Sequence, residues 1–313
     1  MKSKVTLFLK GAGMGAADAV PGVSGGTIAF VTGIYEELIH TIKQFGPEAF
    51  GAWRRGGLGG LVAHLNLAFL LPLLLGIAIS LVSVAHLITW LLETQPLLLD
   101  AFFFGLVAAS ALVVSRSLRY WRYWHILPLI GGLLLARALP GLMPIVAELG
   151  VEPLMLVVAG AIAISAMLLP GVSGSFLLLT MGLYGTVMEG IKSFDLALIA
   201  QFGVGCAIGL FCFSRLLSWL LRHARTGTLQ LMIGFIVGAL PLLWPWRELV
   251  SYQLGPEQQM IPLDYRYLLP HDYALLTGES AQLIPVLALM LAGLILVLAI
   301  SRQAGSQASQ GGH

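Results

Sequence analysis

The sequence predicts an all-α polytopic membrane protein built from two inverted-topology repeats, each with a re-entrant helical hairpin followed by transmembrane helices. Three observations support this prediction. Of the 313 residues, 58% are hydrophobic and only 10% are charged, whereas soluble domains carry about 25% charged residues. The apolar residues form long blocks, and one glycine-rich motif occurs twice. This composition excludes a soluble globular domain, a nucleic-acid-binding protein with a basic face and an intrinsically disordered chain.

Six blocks are long enough to cross a membrane, because a hydrocarbon core of about 30 Å requires about 20 helical residues. The polar segment 247–281 separates the last two blocks and is predicted to be an external loop. The six predicted spans are residues 66–91, 98–115, 123–140, 196–221, 228–246 and 282–300.

Two further blocks, 5–40 and 153–191, are each interrupted by a Pro-Gly sequence. The apolar arms on either side of the interruption are about 20 to 25 Å long at 1.5 Å per helical residue. Arms of this length do not span a bilayer comfortably. The pattern therefore favours re-entrant hairpins, which enter the membrane and return on the same side, over single broken spans.

The two interrupted blocks are copies of each other. Pro21-Gly22-Val23-Ser24-Gly25 recurs as Pro170-Gly171-Val172-Ser173-Gly174, at an offset of 149 residues, and ten of the 25 positions from Pro21 to Phe45 are identical at this offset. A second set of identities occurs at an offset of 129, as in Gly105 and Gly234. An internal duplication follows, with one repeat in residues 1–150, the second in 151–302 and a disordered tail in 303–313.

The distribution of basic residues predicts the topology. If each interrupted block is a hairpin, three full spans separate equivalent points of the repeats, and this odd number inverts the second repeat. Twelve Lys and Arg residues then lie on the side of the N-terminus and four on the opposite side. Because basic residues accumulate on the cytoplasmic side, both termini are predicted to be cytoplasmic, in a multi-pass protein of the bacterial cytoplasmic membrane.

The two glycine-rich turns are the candidate substrate site. Irregular backbone inside a membrane is tolerated where it lines a cavity or is buried in protein, and glycine-rich helix starts offer N–H groups to phosphate or carboxylate. In inverted repeats the turns would meet near the midplane. A purely structural role, in which the glycines only allow the chain to turn and pack, is the alternative. The candidate binding residues are Ser24, Gly25, Gly26, Thr27, Ser173, Gly174 and Ser175, with Pro21, Gly22, Pro170 and Gly171 forming the turns.

Placing a charged residue inside an apolar membrane segment costs free energy, and such residues usually have a function. Asp18, three residues before the first Pro-Gly, and Glu37, near the mouth of the first hairpin, are candidates for proton or sodium coupling. Arg137 and Arg215 occur late in their predicted spans and are candidate partners for an anion. Snorkelling of both arginines to the interface is the alternative. The sequence contains no metal-binding or cofactor motif that we recognise, so no metal or cofactor is predicted.

The motif residues resemble those of a known family. The stretch Asp18 to Thr27, the second motif Pro170 to Ser175 and the sequence Ala101-Phe102-Phe103-Phe104-Gly105 are similar to the bacterial polyprenyl-phosphate translocase family. The resemblance covers nearly the whole chain, from about residue 5 to 300. It implies that the protein is a transporter rather than an enzyme. Its substrate would be undecaprenyl phosphate, returned from the outer to the inner leaflet for envelope-polymer synthesis.

Two other functions remain open at this point. Undecaprenyl-pyrophosphate phosphatase is also an inverted-repeat membrane protein, but its motif resembles Pro-Gly-x-Ser-Arg-Ser, and Gly25 and Gly174 occupy the arginine position here. A small-anion secondary transporter also fits the pattern of charges and turns. The sequence does not distinguish the coupling ion or the oligomeric state.

Overall fold

The computed structural model describes residues 4–20, 23–118, 123–147, 153–254 and 260–310. Within these ranges the chain is predominantly helical. Five helices are long and apolar enough to cross a membrane, which confirms a polytopic helical membrane protein. They correspond to five of the six predicted spans, and the sixth, 123–140, contains a 3₁₀ turn followed by a helix with a shorter described apolar stretch, Ile126–Leu139.

The first half of the chain contains seven helices in the described residues. The described residues of the second half form seven more helices and a two-stranded antiparallel sheet. In the first half the helices are α1 (Lys4–Asp18), α2 (Gly25–Val31), α3 (Tyr35–Lys43), α4 (Pro47–His64), α5 (Leu67–Thr94), α6 (Pro96–Arg116) and α7 (Ile126–Ala147). In the second half the elements are α8 (Pro153–Leu168), α9 (Gly174–Thr180), α10 (Tyr184–Lys192), α11 (Leu196–His223), α12 (Arg225–Ala239), β1 (Arg247–Leu254), β2 (Met260–Tyr267), α13 (Pro270–Thr277) and α14 (Leu283–Gln310).

Each interrupted block forms three helices rather than two arms. The extra break lies at Gly33 between α2 and α3 and at Gly182 between α9 and α10, and both glycines have φ of 69°. This left-handed conformation is accessible to glycine at little cost and ends the helix after two turns. Across the second of these breaks the chain bends by 110°.

Helix pairs in the two halves pack through equivalent glycines. Where α1 meets α5, a Cβ on Gly11 would overlap the carbonyl oxygen of Leu73. Where α8 meets α11, a Cβ on Gly160 would overlap that of Phe202. The two contacts are related by the same offsets, 149 and 129, that relate the sequence motifs. Backbone-to-backbone approach at glycine is typical of membrane helix packing.

A second pair of glycines at the offset of 129, Gly105 and Gly234, also lies at helix contacts. Gly105 on α6 packs against the backbone of Met290 on α14, and Gly234 on α12 packs against that of Leu129 on α7. The main apolar core contains residues of the three helices α1, α2 and α3, together with residues of α5, α6 and α12. The interrupted blocks are therefore enclosed by helices of both halves.

Two predicted segments differ from the structure. The loop 247–281 contains the sheet and α13, and the indole N–H of Trp246 donates to the carbonyl oxygen of Ala281 at 2.8 Å. This loop is thus folded against the helix ends. α14, which includes the predicted span 282–300 from Leu283 onward, continues to Gln310, so residues 303–310 of the tail predicted to be disordered are helical.

Candidate functional site

The first tip, residues 18–27, satisfies backbone donors with its own side chains. Asp18, the last residue of α1, accepts a hydrogen bond at Oδ1 from the N–H of Gly25 at 2.6 Å. Ser24 precedes α2, and its hydroxyl oxygen accepts from the N–H of Gly26 at 3.1 Å. In both contacts a side-chain oxygen accepts from an N–H group in the first turn of a helix, as in helix N-caps. In this conformation the two polar side chains predicted for coupling and phosphate binding therefore stabilise the start of α2.

The second tip, residues 167–176, is built in a similar way but lacks the carboxylate. The Ser173 hydroxyl oxygen accepts from the N–H of Phe176 at 3.4 Å and is 3.0 Å from the Ser175 hydroxyl. Met167 stands at the position equivalent to that of the first-tip aspartate. The two tips are thus alike in their serine caps and different in charge.

The turn residues can be described only in the second tip. Pro170 and Gly171 are buried, and Gly171 has φ of 84°. A Cβ on this glycine would meet the backbone of Ile236 on α12. Glycine is required here both by conformation and by the close approach of α12. The corresponding first-tip residues, Pro21 and Gly22, lie outside the described residues.

Hydrogen bonds join the two tips directly. The Ser24 hydroxyl donates to the carbonyl oxygen of Leu169 at 3.2 Å. The hydroxyl of Tyr35, the first residue of α3, donates to the carbonyl oxygen of Leu168 at 2.6 Å. Both carbonyl groups belong to the end of α8 and the start of the turn, where helical partners are missing. Side chains of the first interrupted block therefore satisfy the backbone of the second.

A third bond runs between the tips in the opposite sense. The hydroxyl oxygen of Thr27, which is fully buried, accepts from the N–H of Gly171 at 3.0 Å. Beside it, a Cβ on Gly26 would lie 3.0 Å from the carbonyl oxygen of Met167. The tips are thus in close contact, and the structure brings together residues separated by more than 140 positions in the sequence.

The predicted binding glycines face protein in this conformation. A Cβ on Gly25 would overlap the Asp18 carboxylate, and a Cβ on Gly174 would overlap the carbonyl oxygen of Ala163. The helices that they begin, α2 and α9, have seven residues each. Because such short helices have few aligned peptide dipoles, an anion at the tips would interact mainly with hydroxyl and N–H groups.

A small cavity of about 20 Å³ adjoins the second tip. Its walls include Gly171, Ser173 and Phe176 from the tip and Ala136 from α7. A volume of this size has room for about one water molecule, and a phosphate group does not fit. In this conformation the tips are in contact with each other and leave no room for a phosphate beside Ser173.

Arg137 is the sequence neighbour of a residue that lines this cavity. It directly follows Ala136, which lines the cavity, and its side chain is exposed. Although α7 extends from Ile126 to Ala147, its described apolar stretch is Ile126–Leu139, so Arg137 is near the end of that stretch, as in the predicted span. Among the described residues no acidic side chain forms an ion pair with it.

Arg215 has other partners. Its guanidinium group lies over the ring of Phe211 at 3.5 Å, donates to the carbonyl oxygen of the same residue at 3.1 Å, and approaches Glu48 of α4 at 3.8 Å. The structure does not place Arg215 with the tip residues. Glu37, the second coupling candidate, is half-buried on α3.

Two polar residues of the first interrupted block were not assigned a role from sequence. Tyr35 ties the tips together, and its recurrence as Tyr184 in the second repeat was the available signal. Lys10, counted only as a basic residue, donates from Nζ to the carbonyl oxygen of Thr32 at 2.6 Å. This carbonyl lies at the C-terminal end of α2, where positive charge is favourable.

The family is shown by comparison with known proteins. The sequence model of the undecaprenyl phosphate translocase-like family matches residues 14–260, which include both tips. The chain belongs to this family. The predicted resemblance to polyprenyl-phosphate translocases is thereby confirmed, and the matched region includes Asp18, Arg137 and Arg215.

Two relatives of this translocase-like chain are named polyprenyl-phosphate transporters. It is 42% identical over 302 residues to a polyprenyl-phosphate transporter of Vibrio cholerae, covering 96% of this chain and 97% of the relative. It is 33% identical over 255 residues to a polyprenyl-phosphate transporter of Staphylococcus aureus, covering 76% of this chain and 85% of the relative. No solved structure gives a significant match.

Proposed function

We propose that the protein transports undecaprenyl phosphate across the bacterial cytoplasmic membrane and returns it from the outer to the inner leaflet. The observation that carries this proposal is the direct contact of two glycine-rich tips inside a helical membrane protein. Family membership and the names of two relatives support a polyprenyl-phosphate substrate. Return to the inner leaflet is proposed because envelope-polymer synthesis consumes the lipid there.

The two halves are proposed to be inverted repeats with re-entrant hairpins. The matching contacts of Gly11 and Gly160, at the same offsets as the sequence motifs, support a structural duplication. The excess of basic residues on one side supports an inverted second half with both termini in the cytoplasm. Transporters with this symmetry place their substrate where the repeats meet, which corresponds to the tips in this chain.

The tips are proposed to bind the phosphate by exchanging one set of hydrogen bonds for another. In the closed state Ser24 and Thr27 bond to backbone groups of the second tip. If the tips separate, these hydroxyls, those of Ser173 and Ser175, and the freed N–H of Gly171 can donate to phosphate oxygens. Hydrogen bonds to a charged acceptor are stronger than neutral ones, so the phosphate can compensate the loss of the tip-to-tip bonds.

Arg137 is proposed to guide the headgroup to the tips. A guanidinium group within an apolar helix is energetically costly unless it has a counter-ion, and a lipid phosphate supplies one. Its neighbour Ala136 lines the cavity beside Ser173, so a phosphate paired with Arg137 would be near the second tip. Rocking of the repeats would then open the site to one leaflet and later to the other.

Binding of undecaprenyl phosphate by the purified protein tests the function, with undecaprenol as the ligand that lacks phosphate. The double variant Ser24→Ala/Ser173→Ala should lose most of the phosphate-dependent affinity. The matched control is Ser115→Ala/Ser193→Ala, because both of these hydroxyls bond only carbonyl groups of their own segments. Equal binding of undecaprenol and undecaprenyl phosphate would contradict the proposal.

Two further measurements separate the alternatives. Release of inorganic phosphate from undecaprenyl pyrophosphate would indicate a phosphatase. Flux of inorganic phosphate through proteoliposomes that contain no prenyl lipid would indicate a small-anion transporter. A polyprenyl-phosphate transporter is expected to show neither activity.

A further inference from the structure

We propose that the prenyl chain of the transported lipid lies in an apolar groove between α8 and α11, beside the second tip. This inference rests on the proposed function and adds a binding site for the lipid tail. The groove has a volume of about 480 Å³, within the range of about 300 to 1,000 Å³ that is typical of small-molecule pockets. Its size is sufficient for part of a long prenyl chain.

The lining of the groove is almost entirely apolar. Val158 and Ile162 line it from α8, and Ile208 and Leu216 line it from α11. Ile208 and Leu216 are 48% and 49% exposed, respectively, on the outer surface of the helices. Because exposed apolar side chains of a membrane protein face lipid, the groove opens toward the bilayer. A chain dissolved in the membrane can therefore enter it from the side.

The groove leads to the second tip. Three residues, Leu139, Val172 and Leu177, line both the groove and the small cavity whose wall includes Ser173. The two spaces are thus adjacent: the larger one is apolar and open at the helix surface, and the smaller one is bordered by the Ser173 hydroxyl of the second tip. An occupant that joins a single apolar chain directly to a phosphate matches this arrangement, with the phosphate at the tip and the chain in the groove.

Arg137 supports the same placement of the lipid. It lies on α7 between Ala136, which lines the cavity, and Leu139, which lines both spaces. A phosphate held at the second tip would lie beside the stretch of α7 that carries this exposed arginine. Charge complementarity therefore favours an anionic headgroup over a neutral one.

The groove contributes to binding by positioning the chain and not by hydrophobic transfer. Lipid chains are as apolar as the groove lining, so moving a chain from the bilayer into the groove gains little hydrophobic free energy. Its effect is to hold the chain so that the phosphate reaches the tip. Filling the groove should consequently weaken the binding of long-chain substrates, because the chain can no longer lie where the phosphate reaches the tip, and should leave the binding of a phosphate with almost no chain unchanged.

The test compares two probes, undecaprenyl phosphate and dimethylallyl phosphate, which carries a single isoprene unit. Cys212→Trp fills the groove from α11, and Val204→Trp is the matched control, because Val204 is on the same helix, is 52% exposed and does not line the groove. Cys212→Trp should weaken undecaprenyl phosphate binding by about tenfold, equivalent to about 1.4 kcal/mol, and change dimethylallyl phosphate binding less than twofold. Val204→Trp should leave both unchanged.

The outcomes distinguish this inference from the proposed function. If the unmodified protein binds undecaprenyl phosphate and Cys212→Trp binds it equally well, the groove assignment is wrong and the function stands. Equal weakening of both probes also overturns the groove assignment, because it indicates a distorted tip. If the unmodified protein binds neither probe in a phosphate-dependent way, the proposed function fails and the groove assignment fails with it.

A second measurement does not depend on a bulky substitution. In a Cys206→Ser background, Cys212 is the remaining cysteine, and its reaction with a membrane-permeant thiol reagent reports access to the groove. Undecaprenyl phosphate should slow the reaction at least about threefold, whereas phosphatidylglycerol at the same concentration should not. Equal protection by phosphatidylglycerol would show that the groove holds bulk lipid chains and would overturn the inference.

Discussion

The hydroxyl of Tyr35 donates a hydrogen bond to the carbonyl oxygen of Leu168 at 2.6 Å, across 133 positions of the sequence. Tyr35 is 2% exposed and begins α3, and Leu168 ends α8. The bond therefore links the first interrupted block to the second at the point where a helix leaves a carbonyl group without a helical partner. This hydrogen bond and those made by the Ser24 and Thr27 hydroxyls together form the closed contact between the tips.

Removing this hydroxyl should weaken the closed contact. Tyr35→Phe leaves the Leu168 carbonyl buried without its partner, which costs about 1 to 3 kcal/mol. We expect a lower Tm in detergent and faster hydrogen exchange at the second tip. Tyr184→Phe is the control, because Tyr184 is the equivalent residue and its hydroxyl makes no hydrogen bond among the residues described here. An equal loss of stability in both variants would contradict this role of Tyr35.

Asp18 should contribute to stability through its bond to Gly25. Asp18→Ala removes the acceptor and should cost about 0.5 to 2 kcal/mol, as loss of a helix cap does. Asp18→Asn keeps an oxygen that can accept from the same N–H, so its loss should be smaller. Thermal unfolding of the two variants measures the difference, and identical behaviour would show that the Asp18–Gly25 bond contributes little.

The Asp18→Asn variant also tests whether transport is coupled to an ion gradient. If Asp18 carries a proton or binds sodium during transport, Asp18→Asn should reduce transport in proteoliposomes and remove its dependence on a pH or sodium gradient. Full transport by Asp18→Asn across a range of pH and sodium concentration would exclude coupling through this residue. Glu37→Gln serves as the comparison, because Glu37 is the second candidate.

Close helix packing should make Gly205 intolerant of a side chain. A Cβ on Gly205 would overlap the carbonyl oxygen of Val157 on α8, whereas a Cβ on Gly203, two residues earlier, meets no atom within 4 Å. Gly205→Ala should destabilise the protein by about 1 to 3 kcal/mol, the usual cost of overpacking. Gly203→Ala should be neutral or stabilising by up to about 1 kcal/mol. The apparent Tm of the two variants checks this, and a reversed order would contradict the α8–α11 packing.

The ion pair between Asp100 and Arg247 should hold the folded segment 247–281 to α6. The two side chains are 2.8 Å apart and are 9% and 20% exposed, respectively. Arg247→Met leaves a buried carboxylate without its partner, which typically costs about 3 to 5 kcal/mol. Increased proteolysis of residues 247–281 and a lower Tm should follow.

An exposed ion pair in the same sheet provides the control. Arg266 and Glu248 are 3.9 Å apart and are 58% and 37% exposed, respectively. Exposed pairs contribute about 0 to 1 kcal/mol, so Arg266→Met should change neither proteolysis nor Tm appreciably. If Arg266→Met were as destabilising as Arg247→Met, the buried pair would have no special importance.

The sequence predicts the spans well because bilayer thickness imposes a length and an apolar composition that are visible locally. The predicted span 196–221 corresponds closely to α11, Leu196–His223. The Pro-Gly interruptions likewise mark where α1 and α8 end. The extra breaks at Gly33 and Gly182 were not predicted, since single glycines also occur inside helices such as α11.

The partners of the polar residues were decided by the tertiary structure. Sequence alone identified the glycine-rich tips, the duplication and the family resemblance, because these are patterns of residue type and spacing. It did not show that Ser24 bonds to the second tip, that Arg215 pairs with Glu48, or that Ala136, the neighbour of Arg137, lines a cavity beside Ser173. Such contacts depend on how helices distant in sequence pack together, and local composition carries no information about that packing.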